Sequence, residues 1–339
     1  MRKPDFERNT LQALNKKKPS RPALFELFLN DRYYERLCGH ALENREPLSY
    51  MRLVIDGMGA AGYEYASVIA SDFHFATGSV TRGHTQSLNE NPTIIDWETF
   101  EKYKWLNPAD YDCSRLEKIR EHLPEGMKLM VYGPSGVLEN LIALTGYDNL
   151  CLMLYDEPEL VQELTNHIGS RLLKYYEEAA AYDTVGFICS NDDWGFNTQT
   201  LLSPADMRKY IFPWHKRIVE TAHKNNKPCI LHSCGYFAGT IEDIIEDMRF
   251  DGRHSYEDAI CPVEDAYEML KGRIAVLGGI DMDFMVRKTP DDIFMRATGM
   301  LERSREAGGY LLGTGNSVPE YIPFENYMAL LRARDEFID

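Results

Sequence analysis

Several features that would assign this chain to a class of protein are scarce or missing. No apolar run approaches the ~20 residues of a membrane-spanning helix. The start, MRKPDFERNT, has no apolar core behind its basic residues, so we expect no secretory signal. The seven cysteines form no CxxC pair, which is typical of a cytoplasmic protein without disulfides. Acidic residues outnumber basic ones, 53 to 37, which argues against a nucleic-acid partner.

The sequence also lacks a dinucleotide-binding fingerprint. The glycines of DGMGAAGYE end a predicted apolar helix at 50–64. They do not form a GxGxxG motif between a strand and a helix, which is where such a motif holds a pyrophosphate. We therefore expect no nicotinamide or flavin dinucleotide site.

What the sequence does contain is eight short apolar segments, each followed by a helical pattern. They lie at 22–29, 65–70, 128–132, 184–190, 229–231, 250–256, 273–277 and 310–312. Their apolar residues do not alternate with polar ones, which is typical of parallel strands that are buried on both faces.

Eight such units in 339 residues predict an α/β fold of the (β/α)₈ barrel (TIM barrel) type. We expect an N-terminal arm at 1–21, a single barrel domain at 22–339 and a long loop at 75–110 after the second strand. A doubly wound open sheet is the alternative, because a strand count does not prove closure.

The segment KPCILHSCGY, at 227–236, is central to the interpretation. Residues two apart on a strand point to the same side, so His232 and Cys234 project together at the end of the fifth strand. An imidazole and a thiolate are half of a tetrahedral zinc site. The alternative is a buried cysteine beside a hydrogen-bonded core histidine.

Polar residues also follow the other predicted strands, where barrel enzymes place their active sites. The candidates at these ends are Asp72, Asp192, Asp193, His254, Tyr256, Glu257 and Asn316. Loops are polar in any case, and this explains part of the set. It explains less well two adjacent acids, or a His-x-Cys pair.

Four segments together resemble a known family. They are HSCG, DDWG followed by LLSPADMRKYIFPW, GGID, and the closing GTGNSVPEYIPFENY. They are similar to the uroporphyrinogen decarboxylase superfamily, and most similar to its zinc- and corrinoid-dependent methyltransferases. The resemblance runs from about residue 20 to the end, is strongest from 184 onward, and implies a (β/α)₈ barrel.

The methyltransferase resemblance implies zinc bound by His232 and Cys234, with a third cysteine in the loop after the eighth strand. That loop reads GTGNSVP and contains no cysteine. Because a catalytic zinc needs about three protein ligands, another residue must complete the set. We favour His254 or Glu257 on the neighbouring strand; the other candidates are Asp192, Asp193, Glu26 and, less favoured, Cys261.

A ligand set richer in oxygen would make zinc more electrophilic, which favours an O-methyl compound as the substrate. The corrinoid is expected on a partner protein, since the chain has no DxHxxG segment. Substrate orientation or protonation is assigned to Asp192, Asp193, Tyr256 and Asn316. The identity of the methyl donor stays open, and a homodimer is compatible with the chain.

Two other functions remain open. The first is a metal-free decarboxylase of a tetrapyrrole carboxylate, in which Asp72, which resembles the catalytic aspartate of that branch, is central. The resemblance to that branch implies an arginine-rich early segment, but the matching stretch ELFLNDRYYERL holds only Arg32 and Arg36. That branch also has a histidine where this sequence has Gly315 and Asn316. The second is a barrel that binds a ligand or partner without catalysis.

Overall fold

The computed structural model of the chain describes residues 3–77, 88–89 and 91–337. Eight parallel strands form one sheet. They are β1 Ala23–Leu24, β2 Tyr65–Ile69, β3 Lys128–Tyr132, β4 Val185–Asn191, β5 Cys229–His232, β6 Gly252–His254, β7 Ala275–Leu277 and β8 Tyr310–Leu312. Nearly all of their side chains are buried, as the absence of alternation predicts.

Helices precede β1, lie between most successive strands and follow β8. They are α1 Thr10–Leu14, α2 Asp31–Cys38, α3 Pro47–Ala61, α4 Trp97–Lys102, α5 Arg115–Lys118, α6 Val137–Thr145, α7 Tyr147–Asp156, α8 Pro158–Ala180, α9 Pro204–Asp206, α10 Phe212–Lys224, α11 Val263–Leu270, α12 Met282–Arg287, α13 Pro290–Ser304 and α14 Phe324–Glu336. A 3₁₀ turn covers Pro108–Asp110, and π-helical turns cover Met207–Ile211 and Asp243–Asp247. No helix among the described residues is long and apolar enough to cross a membrane.

The order of the strands is β1-β8-β7-β6-β5-β4-β3-β2, which confirms the predicted α/β barrel architecture. β1 and β2, at the two ends of this order, share no backbone ladder in the described residues. Side chains span this seam instead. The Tyr65 hydroxyl accepts from the Glu26 amide at 2.8 Å and donates to the Glu26 carbonyl at 2.7 Å, and the Ser67 hydroxyl donates to the Leu27 carbonyl.

One predicted boundary differs from the structure. The first strand was expected at 22–29, but its ladder covers only β1, and Leu29 pairs separately with Val318. The Phe25 amide still donates to the Leu312 carbonyl, but the ladder stops there because the Thr314 amide donates to the Glu26 carboxylate instead of to the backbone of the first strand. The helix after β1 ends at Cys38 because Gly39 takes a left-handed conformation, φ 82°, which terminates a helix.

The long loop expected at 75–110 lies partly outside the described residues, since 78–87 and 90 are not among them. Within the described part it carries α4 and the 3₁₀ turn. The N-terminal segment packs across the amino ends of the strands: Phe6 stacks on Phe187 of β4 with ring centroids 5.9 Å apart, and Ala13 and Leu14 are buried.

Candidate metal centre

Three neighbouring strands align their last residues in one row. Asn191 of β4 pairs with His232 of β5, which pairs with His254 of β6. Since alternate residues of a strand share a face, Asp193 follows Asn191 and Cys234 follows His232 onto the same side. The register therefore brings Asp193 of the DDWG segment and Cys234 of the HSCG segment together.

A single cluster of potential metal ligands results. One ligand atom each from Asp193, His232 and Cys234 lies within 4.8 Å of the other two. In the part of the chain that the structure describes, no other group of three such residues is as close. Its oxygen, nitrogen and sulfur donors are those that zinc prefers, so the residues fit a zinc ion.

The turn after β5 is fixed by a glycine. Gly235 has φ 89°, and a Cβ atom there would lie 2.0 Å from the carbonyl oxygen of Gly195. Only glycine allows the two strand-end loops to approach so closely. The Cys234 amide also donates to the Asp193 carboxylate at 2.8 Å, which locks the two candidate ligands side by side and leaves the second carboxylate oxygen for a metal.

His232 is a neutral imidazole at neutral pH. Burial lowers its pKa to about 4, while the Asp193 carboxylate acts in the opposite direction and the Arg253 guanidinium in the same direction. A neutral imidazole is the form that binds metals. Its Nε2 atom faces the Cys234 sulfur at 3.9 Å.

Cys234 is a protonated thiol in the absence of a cation. Burial, and after it the Asp193 carboxylate, raises the pKa of its thiol. The Asn316 side-chain amide donates to the sulfur at 3.2 Å, which favours the thiolate. A divalent cation would supply the missing positive charge and release the thiol proton.

Neither of the two residues favoured as the third ligand, His254 and Glu257, joins this cluster. His254 uses both ring nitrogens: Nδ1 lies 2.8 Å from Nδ1 of His232, and Nε2 lies 3.0 Å from the Thr314 carbonyl. Glu257 is half-buried, and its charge acts on the Cys234 thiol only after burial and Asp193. Asp193, expected as a catalytic residue or one of several further ligand candidates, takes the position beside the pair.

Asp192 points away from the cluster. Its two oxygens accept from the amides of Leu138 and Glu139, at 3.0 and 2.9 Å, at the start of α6, where a carboxylate stabilises the helix dipole. His215 contacts the same carboxylate at 2.9 Å. The structure thus places the first of the two adjacent acids in a supporting position and the second in the cluster.

Asp72 lies on the other side of the barrel mouth. Its side chain is 69% exposed and pairs with Arg115 at 2.8 Å. Both residues line a cavity of about 580 Å³ beside the ends of β1, β2 and β3. Phe28, Tyr50, Ile69 and Tyr132 form apolar and aromatic parts of its wall.

Two predicted residues remain, of which Asn316 contacts the cluster and Tyr256 packs against Arg253. Asn316 contacts Cys234, as described. Tyr256 is buried, and burial raises the pKa of its phenol to about 12. Its ring centroid lies 4.9 Å from the guanidinium carbon of Arg253.

Sequence reasoning missed Arg253, Thr314 and the contact between the two histidines. Arg253 is fully buried, and its guanidinium donates to the carbonyls of Ser255 and Ser233. An arginine inside the buried strand segment GRH was the available signal, because arginine is rarely buried without a specific partner. No signal in the sequence could have predicted the contact between the two histidines, because that contact depends on strand register.

A family model described as uroporphyrinogen decarboxylase (URO-D) matches residues 80–337. A uroporphyrinogen decarboxylase from Synechococcus sp. (strain CC9605) is 27% identical over 192 residues, which are 55% of this chain and 51% of that protein. The methylcobamide:CoM methyltransferase MtaA from Methanosarcina barkeri is 26% identical over 137 residues, which are 40% of this chain and 38% of that protein.

The chain thus spans about half the length of these relatives or less. Among solved structures, a methyltransferase from Methanosarcina mazei superimposes with a TM-score of 0.70 over 96% of this chain and 97% of that one. The sequence identity is 17%, so this likeness concerns the fold.

Proposed function

The chain belongs to the uroporphyrinogen decarboxylase (URO-D) family of enzymes, and from this premise we propose that it is a zinc-dependent methyltransferase. It moves a methyl group between a small substrate, an O-methyl compound, and a corrinoid carried by a partner protein. The observation that carries the proposal is the cluster of Asp193, His232 and Cys234 at the carboxyl ends of β4 and β5.

In this proposal these three residues hold the zinc ion. Three protein ligands leave a position for the substrate, as catalytic zinc sites require. Asp193 is preferred over Glu257 because it lies in the cluster, and over His254 because both nitrogens of that ring are engaged. When bound, zinc would hold a thiol as thiolate near neutral pH or polarise the oxygen of an O-methyl group.

The surrounding residues orient the ligands. Asp193 accepts the Cys234 amide and so holds the sulfur beside the imidazole. The Asn316 amide donates to that sulfur and lowers its nucleophilicity, which keeps the cysteine a ligand. The buried Arg253 contributes positive charge that offsets the two anionic ligands.

The cavity beside β1–β3 is the proposed substrate pocket. A volume of about 580 Å³ fits a small molecule, and its aromatic wall suits a planar apolar body. Leu29 lines the cavity and pairs with Val318, two residues after Asn316. The loop after β8 therefore borders both the pocket and the cluster.

Decarboxylation of a tetrapyrrole carboxylate is the second candidate. The position of Asp72 in the wall of this cavity, paired with Arg115, supports it. Arg32 and Arg36 do not, because Arg32 lies near Glu320 on the surface and Arg36 stacks on Phe324. Neither arginine lines the cavity.

Zinc analysis of the full chain, purified without oxygen or chelator, tests the proposal. We expect about one zinc per chain, an empty site in Cys234→Ala, and unchanged content in Cys151→Ala, a control at an exposed cysteine. Transfer of a methyl group to or from a corrinoid protein then separates the methyltransferase from a non-catalytic barrel. A wild-type protein that cannot be loaded with zinc would contradict the proposal and favour Asp72 chemistry.

The identity of the third ligand is tested by a matched pair of variants. Asp193→Asn keeps an oxygen for the Cys234 amide but removes the charge, so we expect zinc affinity to fall by about tenfold or more. Glu257→Gln, the equivalent change outside the cluster, should leave the affinity within about twofold. The reverse order of effects would assign the ligand to Glu257.

A further inference from the structure

A second histidine stands directly behind the proposed ligand His232. The Nδ1 atoms of His232 and His254 are 2.8 Å apart, and both rings are buried. One hydrogen lies between two nitrogens at this distance, since two would clash and none would leave two lone pairs in contact. The question is which of the two histidines carries it.

The opposite side of the His254 ring answers this question. Its Nε2 atom lies 3.0 Å from the Thr314 carbonyl oxygen. A carbonyl can only accept, so Nε2 carries a hydrogen. The ring is fully buried and makes no contact with a carboxylate among the described residues, so its neutral form is favoured. Neutral His254 then has its lone pair at Nδ1, and the shared hydrogen belongs to Nδ1 of His232.

The Thr314 carbonyl is itself held in place by Glu26. The Thr314 amide donates to Oε1 of Glu26 at 2.7 Å, and the Thr314 hydroxyl lies 2.7 Å from Oε2. The same hydroxyl lies 2.5 Å from the Asn316 carbonyl, which can only accept. These contacts fix the backbone of Thr314 and with it the position of the carbonyl that accepts from His254.

We propose that His254 is a positioning residue that fixes the tautomer of His232. Thr314 sets the hydrogen on Nε2 of His254, and His254 in turn sets the hydrogen on Nδ1 of His232. The lone pair of His232 is thereby left on Nε2, the atom that faces Cys234. Without this relay, metal binding would first require a proton to move between the two nitrogens of His232.

The proposal rests on the proposed function for its consequence, metal binding, but not for its geometry. Two variants separate the role of the acceptor from that of ring volume. His254→Asn keeps an acceptor near the position of Nδ1, whereas His254→Phe fills the space and removes it. Neither residue 254 nor Thr314 is part of the proposed ligand set.

The first measurement is the ring nitrogen spectrum of the full chain, labelled with ¹⁵N-histidine and stripped of metal. The signals of His232 are identified by their loss in His232→Gln. We expect a hydrogen on Nδ1 and a free Nε2 in the wild type and in His254→Asn. A hydrogen on Nε2 of His232 in the wild type would overturn the proposal.

The second measurement is zinc affinity by competition with a chromophoric chelator. We expect His254→Phe to bind zinc about 10–100-fold more weakly than the wild type, the range found when a partner behind a ligating histidine is lost. His254→Asn should restore most of the affinity. Equal affinity in all three folded proteins would overturn the proposal, and if His254→Phe does not fold, the tautomer spectrum decides.

The two measurements keep the two hypotheses apart. A wild type that takes up no zinc but shows the expected tautomer contradicts the proposed function and supports the relay. A wild type that binds zinc but shows the hydrogen on Nε2 supports the zinc site and overturns the relay.

Discussion

At the scale of single residues, this barrel contains acids that look alike in the sequence and differ in their surroundings. Asp192 stabilises a helix start and Asp193 joins the ligand cluster, although they are adjacent. Glu26 is a third case, because it is fully buried and bonded to Thr314. Burial raises the pKa of Glu26 to about 8, and its hydrogen bonds with Thr314 act against this.

Glu26 should therefore make stability depend on pH. The folded protein keeps the Glu26 proton up to about pH 8, whereas the unfolded chain loses it near its ordinary value of 4.5. The folded state binds more protons across that window, so this contribution weakens as pH rises, by up to ~1.4 kcal/mol per pH unit. Glu26→Gln removes the titrating group, and the free energy of unfolding in urea, measured at pH 5.5 and 8.5, reports the difference.

As the pH rises from 5.5 to 8.5, we expect the free energy of unfolding of Glu26→Gln to increase relative to that of the wild type. Glu101→Gln, at an exposed position on α4, serves as the control and should show no such gain. A constant difference between Glu26→Gln and the wild type at both pH values would show that Glu26 is ionised in the folded protein.

At the scale of elements, the site depends on how strands end. β4, β5 and β6 stop in register, and the loops after β4 and β5 approach each other at Gly195 and Gly235. The first residues after each strand therefore converge without any sequence motif that joins them. A change in the turn should disturb the cluster even though the turn contains no ligand.

Gly235→Ala tests this dependence. The left-handed φ of 89° and the 2.0 Å approach of a Cβ to the Gly195 carbonyl should cost about 1–3 kcal/mol and lower zinc uptake. Gly299→Ala is the matched control, because Gly299 lies within α13 with nothing near its Cβ position. That variant should be more stable by about 0.5–1 kcal/mol.

Both variants are measured by urea unfolding and zinc analysis. If Gly235→Ala keeps the stability and zinc content of the wild type, the close approach of the two loops is not needed for the site.

At the scale of the whole molecule, the sheet is completed by side chains at one place. Seven neighbouring strand pairs share ladders, while β1 and β2 are joined through Tyr65 and Ser67. The seam lies beside the proposed substrate pocket, which β2 and the residues Phe28 and Leu29 after β1 help to line. Closure of the barrel and the shape of the pocket therefore depend on the same few hydrogen bonds.

Tyr65→Phe should weaken this seam. The change leaves the buried Glu26 amide without its partner, which costs about 1–3 kcal/mol. Tyr155→Phe, at a tyrosine that is 89% exposed, should change the free energy of unfolding by less than about 0.5 kcal/mol. Equal unfolding free energies for the two variants would mean that the Tyr65 hydroxyl does not hold the seam.

The sequence by itself determined the fold and one half of the candidate site. Eight apolar segments without alternation predict parallel buried strands because the backbone has a period of two, and His232 and Cys234 project together for the same local reason. Family motifs in the second half of the chain added the expectation of zinc. These inferences needed only residues that are close in the chain.

Tertiary structure alone decided the partners of that pair. The register between strands decides whether Asp193, His254 or Glu257 completes the cluster with His232 and Cys234. Hydrogen bonds between residues that are far apart in the sequence set this register. The tautomer of His232 likewise depends on Thr314, 60 residues away from His254 in the sequence, and the raised pKa of Glu26 depends on its burial in the closed barrel. Such contacts leave no local pattern, because they are selected by packing in the closed sheet rather than by neighbours along the chain.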